Sequence, residues 1–177
     1  MSKQLSKSTI QKLRRWSTPT VYNGWEAITK HDRRGGNFNL EETTDFMPEA
    51  PPMVGYAVTM VTEPSNPSHQ EHAEAWGEYL RYVARIEGPK IAVIQDLDVP
   101  NVVGSIVGEV ISSMHRSLGC VGLIVDGAIR DIDEIRSVGL KALAKRLCVG
   151  HCYAHPVRWN CEVNVFGCNV SPGALIH

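Results

Sequence analysis

The sequence predicts an α/β fold built on a mixed sheet, and three observations predict it. Two short runs with apolar centres, residues 90–95 and 121–125, read as strands buried on both faces. Between and after them lie segments with helical apolar spacing, which gives a strand–helix–strand–helix order in the middle of the chain. Short strand-like stretches then dominate the last third.

Taken in order, residues 2–15 predict a short helix with Leu5, Ile10 and Leu13 on its apolar side. Ser17-Thr18-Pro19-Thr20 starts a second helix over 21–29, with Ser17 or Thr18 as cap and Pro19 in the first turn. Residues 31–52 are rich in Gly, Asn, Asp, Glu and Pro and read as a long surface loop, the kind of segment that often carries function. A strand follows at 54–61, a turn at 64–68 and a helix over 69–85, which Gly88-Pro89 ends. The spacing of Val103, Ile106, Val107, Val110, Ile111, Met114 and Leu118 predicts one helix over 101–118, terminated by Gly119 in the left-handed conformation. Asp126-Gly127 reads as a tight turn ending the strand at 121–125, and helix resumes over 129–138. Short strands are expected near 142–148, 151–155 and 161–166.

The chain's 177 residues suit one domain, and 43% hydrophobic with 21% charged residues is a globular composition. A formal net charge of -1 provides no field for nucleic acid or an anionic membrane. The basic groups Lys12, Arg14 and Arg15, and the Arg33-Arg34 pair, read as solvated surface. No apolar run approaches the roughly 20 residues of a membrane helix. The polar, basic start of the chain is not a secretory signal, so the expectation is a cytoplasmic protein with no membrane or nucleic-acid partner.

Five cysteines without an export signal argue against a disulfide framework. Cys148, His151, Cys152 and His155 can be drawn as a zinc site. The segment resembles a buried strand, however, whose alternation would point such ligands to both faces. Small buried cysteines are the preferred reading.

The chemistry concentrates in Gly108-Glu109, the following helix, and Val125-Asp126-Gly127-Ala128-Ile129-Arg130-Asp131, with twenty residues between Glu109 and Arg130. Side chains at the C-terminal end of a buried strand face the crevice where α/β proteins bind ligands. A guanidinium there grips a carboxylate, and a carboxylate binds a hard divalent cation. An isolated Arg-Asp pair at a helix start is otherwise a cap and surface ion pair, and only the spacing and strand context lift it above that. Asp96 and Asp98 line the same crevice or cap a helix, with capping favoured. His69 and His72 read as exposed, His115 as a packing or surface residue, and Trp16, Trp25, Trp76 and Trp159 as core or interface anchors. There is no Gly-rich phosphate loop, serine elbow or metalloprotease His pair.

An acid, twenty residues, then Arg-Asp in a Val-Asp-Gly-Ala-Ile-Arg-Asp context resembles the signature of the class II 4-hydroxy-4-methyl-2-oxoglutarate/4-carboxy-4-hydroxy-2-oxoadipate aldolases and the RraA-like proteins that share their fold. Ser17 to Val21 resembles that family's opening helix, Gly55 to Thr59 its first core strand, and Val163 to Gly173 its late hairpin. The resemblance implies a layered β/β/α domain of the swivelling type, in trimers or pairs of trimers with the crevice between subunits. It also implies a Mg2+- or Mn2+-dependent lyase acting on a small 2-oxo acid of the pyruvate or oxaloacetate type. Asp131 would hold the metal, and Arg130 the pyruvyl carboxylate or keto oxygen. Glu109 would hold metal-bound water, or the metal with it, or act in proton transfer. Backbone amides from Gly108 through Val110 to Ile111 would meet the substrate carboxylate. The alternative within the family is a non-catalytic regulator of the ribonuclease-inhibitor type. Family members typically continue beyond Ala174 to His177 with another strand and helix, and the aldolases take an acid from that region of a neighbouring subunit. The expectation is therefore one domain over 1–177 lacking that end. The loop from Arg33 to Pro52 and the turn from Asn66 to Ser68 are longer than the family pattern, which bears on substrate choice.

Overall fold

A computed structural model describes residues 4–177. Two short helices open the chain, α1 (Lys7–Leu13) and α2 (Thr18–Ile28). Ser17 caps α2 by accepting a hydrogen bond from the Thr20 amide, with Pro19 in the first turn as the sequence predicts. The first three residues of the chain lie outside the described residues, and with them the start of the helix expected from residue 2.

The sheet is built from four parallel strands, β2 (Gly55–Thr62), β3 (Lys90–Asp96), β5 (Cys120–Ile129) and β6 (Lys141–Leu147). Across the sheet their order is β6-β5-β3-β2, so each strand lies one step further along than the last. Right-handed crossovers in a sheet that never reverses direction place every connecting helix on one face. Those helices are α3 (Ala75–Arg85), α4 (Glu109–Ser117) and α5 (Ile132–Val138). Antiparallel strands flank the parallel core: β1 (Thr44–Asp45) pairs with β6, while β7 (Pro156–Trp159) and β10 (Leu175–Ile176) pair with β2.

Strand alternation divides the core in two. Val58, Met60, Ala92, Ile94, Leu123 and Val125 pack with Tyr79, Val83 and Ile135 of the helical layer. Ala57, Val61, Ile91 and Val93 point the other way and meet Val163, Val165, Phe166 and Val170. The latter belong to the hairpin of β8 (Val163–Val165) and β9 (Cys168–Val170). The layers are thus hairpin, sheet and helices, the β/β/α order implied by the resemblance.

The structure redraws four local predictions. The helix expected over 101–118 begins only at Glu109, because Ser105–Val107 form a buried strand, β4, beside β5. Ser105-Ile106-Val107 satisfies strand and helix spacing equally, and Gly104 decides between them. A Cβ on Gly104 would sit 2.7 Å from the His151 carbonyl oxygen, so the backbone here is pinned against a distant loop. Asp126-Gly127 is no turn: β5 runs through it to Ile129, with a register shift against β6 at this point. Gly127 lies so close to β3 that a Cβ would be 2.8 Å from the Asp96 Cβ. Arg130 and Asp131 consequently precede α5 instead of opening it. Residues 151–155 form turns, not a strand, and Cys152 is exposed.

Candidate active site

Where β5 ends, the Arg130 amide donates to the Val107 carbonyl at 2.9 Å and ties the strand end to β4. Asp131 then adopts the left-handed conformation, φ 57° and ψ 50°, which aspartate tolerates better than most residues. That backbone turn aims its carboxylate away from α5, whose cap position it occupies, and toward the start of α4. Its Oδ2 accepts a hydrogen bond from the Glu109 amide at 3.0 Å. A carboxylate at this position is favoured by the positive end of the helix dipole. The Arg130 Nε lies 3.5 Å from the same oxygen, and its Nη1 donates to the Val149 carbonyl at 3.1 Å.

Gly108 makes this approach possible. Its backbone is extended and open to any residue, but a Cβ would meet Asp131 Oδ2 and stand 3.0 Å from Arg130 Nε. The glycine is required by crowding alone.

Glu109, Val110 and Ile111 are the first residues of α4, and the first hydrogen bond back into the turn is from Ser112 to Gly108, at 3.0 Å. The Asp131 carboxylate takes the Glu109 amide, which leaves those of Val110 and Ile111 as donors without helical partners. Gly108, Glu109, Val110, Ile111, Arg130 and Asp131 all line one open cleft of about 350 Å3. The sequence-predicted set is therefore brought together in full. Arg130 and Asp131 keep 39% and 36% of their side-chain surface exposed, enough to reach a small ligand.

The rest of the cleft's lining comes from residues outside the sequence-predicted set. It consists of Trp76, Ser105, Ile106, His151 and Ala154. His151 and Ala154 arrive because the Ser105 amide and hydroxyl both donate to the Gly150 carbonyl, at 2.9 and 3.2 Å. Only a contact across forty-five residues brings them here, and no local pattern announces it. His151 figured in the sequence only as part of a conceivable zinc set. Among the described residues, no three His, Cys, Asp or Glu side chains gather as a metal cluster.

Asp96 and Asp98 neither line this cleft nor cap a helix. Asp98 binds the Ser65 amide and hydroxyl, at 2.8 and 2.5 Å. Asp96 is buried beside Gly127, accepts from the Asp98 amide at 2.9 Å, and is raised to about 7 by burial. Asp126, also buried, lies 3.0 Å from Lys145 Nζ and accepts from the Phe166 amide at 3.0 Å. Its Oδ1 contact with Lys145 is close enough for an ion pair but is not aligned as a hydrogen bond. Asp126 thereby braces the hairpin layer. His115 is fully buried under the cleft: its Nδ1 donates to the Ile111 carbonyl at 2.8 Å, and its Nε2 accepts from the Tyr79 hydroxyl at 2.7 Å. Burial holds its pKa below the usual value, which keeps the ring neutral. His69 is paired to Glu63, while His72 is about half exposed.

A model of the RraA-like family, described as aldolase/RraA, matches residues 18–177. The chain belongs to the RraA-like family. Solved structures carry the same fold at low identity. An uncharacterized protein from Pseudomonas syringae pv. tomato superposes with a TM-score of 0.72 at 15% identity, over 99% of this chain and 74% of its own. Streptomyces coelicolor RraAS2, described as an unusual member of the RNase ES inhibitor RraA family, gives 0.64 at 19%, over 98% and 81%. The RNA-processing inhibitor RraA from Thermus thermophilis gives 0.62 at 16%, over 90% and 86%. Identities this low establish the RraA-like fold and leave activity to the residues of the site. Among the described residues, no helix is long and apolar enough to cross a membrane.

Proposed function

We propose that the cleft is the active site of a divalent-metal-dependent carbon–carbon lyase that forms and quenches a pyruvate enolate. Its reactions are retro-aldol cleavage of a 4-hydroxy-2-oxo acid, decarboxylation of oxaloacetate, or both. The seat of Asp131 carries this reading. A left-handed backbone and a glycine with no room for a Cβ hold its carboxylate beside a guanidinium, at a helix start with two open amides.

The residues suit magnesium or manganese better than a closed protein cage. Magnesium keeps several waters and takes one or two carboxylates together with substrate oxygens. Asp131 Oδ2 is used by the Glu109 amide, whereas Oδ1 has no hydrogen-bond partner among the described residues, and the residue lines the cleft. Asp131 would hold the metal through Oδ1, with Glu109 as the second carboxylate. When bound, the metal supplies a Lewis acid for the substrate's keto oxygen.

Arg130 binds the pyruvyl carboxylate or keto oxygen, and the Val110 and Ile111 amides bind the carboxylate at the helix start. Arg130 also offsets the negative charge that reaches the keto oxygen when the carbon–carbon bond breaks. Glu109 lies on the exposed rim, placed to orient water or to carry a proton to or from the enolate carbon. Val110, 63% exposed on the rim of the cleft, supports a homotrimer or hexamer with subunits meeting at that rim.

A non-catalytic regulatory protein is the second reading, favoured by the matches to an RraA-family protein and to the RNA-processing inhibitor RraA. Titration with Mn2+, followed by its paramagnetic resonance, separates the two. The lyase reading expects Mn2+ binding that Asp131→Ala abolishes in a folded protein. Equal or absent Mn2+ binding in both proteins would favour the regulator.

A further inference from the structure

The loop beside the cleft, whose Val149 carbonyl anchors Arg130, carries two thiols aimed at one atom. Cys148 Sγ lies 3.6 Å and Cys152 Sγ 3.2 Å from the Val103 carbonyl oxygen. Sharing that acceptor places the two sulfurs no more than 6.8 Å apart, the sum of the two distances. They sit in one short loop, Cys152 exposed and Cys148 partly so, whereas Cys120 is buried in the core with its thiol pushed up to about 12. One of the three residues between them, Val149, is 91% exposed and has no place in the core clusters.

We propose that Cys148 and Cys152 form a reversible disulfide, and that low-molecular-weight disulfides of the glutathione class are the oxidant. The exposed Cys152 thiolate attacks one sulfur of the small disulfide and expels the first thiol. The Cys148 thiolate then attacks the Cys152 sulfur of the mixed disulfide and expels the second. Two electrons pass from the protein to the oxidant, and two small thiols carry away both protons. The new bond removes both S–H donors from the Val103 carbonyl.

The modification bears on the cleft through the same loop. The Val149 carbonyl anchors Arg130, the Gly150 carbonyl anchors Ser105, and His151 lines the cleft. Closing the disulfide draws these carbonyls together with the cysteines and shifts the anchor of the Arg130 guanidinium.

The test treats the full chain with oxidised glutathione, alkylates the remaining thiols, and maps tryptic peptides by mass. Cleavage after Arg146 and Arg158 releases residues 147–158, which contain Cys148 and Cys152 and no other cysteine. The expected result is loss of two of the five alkylatable thiols, with this peptide lighter by two hydrogens and restored by dithiothreitol. In Cys148→Ser the same peptide should instead keep glutathione on Cys152. A wild-type peptide that stays doubly alkylated, or that holds glutathione without closing the ring, would overturn the proposal.

Discussion

Gly108 shows how much of the site depends on a missing atom. Its φ and ψ suit any residue, so Gly108→Ala should fold normally, yet the added Cβ must displace Asp131 Oδ2 and Arg130 Nε. Misplacing a positioned group by about 1 Å costs on the order of 100-fold in rate. The variant is expected to lose roughly that factor in pyruvate release while its thermal midpoint stays within a few degrees of wild type; unchanged turnover would show that the carboxylate's seat is irrelevant. Arg130, Asp131 and Glu109 were legible in the sequence because one spacing on one strand–helix unit unites them. Trp76 and His151 were not, since nothing in their neighbourhoods records a cleft assembled from segments so far apart in the chain.

The helix α4 connects the cleft to the core through a hydrogen-bonded relay, Tyr79 to His115 to the Ile111 carbonyl. All of His115 is buried, so removing the hydroxyl leaves its Nε2 acceptor without a partner. Tyr79→Phe should cost about 1–3 kcal/mol in urea unfolding; no loss would mean that water fills the gap. His115 was read as packing or surface, and packing is correct, but its partner on α3 was invisible because helical spacing gives the buried face and not what meets it. Element boundaries failed where two patterns coincide. Ile106 and Val107 obey helical and extended spacing alike, and only the close approach of Gly104 to the 151–152 loop selects the strand. Asp126-Gly127 has the composition of a turn, but contact with Asp96 makes it part of a strand.

The mixed sheet followed from the order of strands and helices, whereas the β/β/α layering, with the hairpin closing the second face, came from the resemblance. The C-terminal end of β3, at Asp96, is where pH should act. The buried Asp96 carboxyl is raised from its usual 3.8 to about 7, so the folded state holds this proton more tightly than the unfolded chain. Its contribution is complete below 3.8 and is lost as pH rises through about 7. Stability should fall over that window, by at most about 4 kcal/mol if the whole shift is expressed. Asp96→Asn, which retains an acceptor for the Asp98 amide, should flatten the curve in urea melts. An equally steep fall in the variant would assign the effect elsewhere. The central claim concerns the cleft, and pyruvate release tests it most directly. Wild type, Arg130→Ala and Asp131→Ala would be given oxaloacetate and 4-hydroxy-4-methyl-2-oxoglutarate, with Mg2+ or Mn2+ and then with chelator. The account predicts metal-dependent turnover by wild type that falls on the order of 100-fold or more in each variant. A folded, metal-supplied wild-type protein that releases pyruvate from neither substrate above the uncatalysed rate would contradict it.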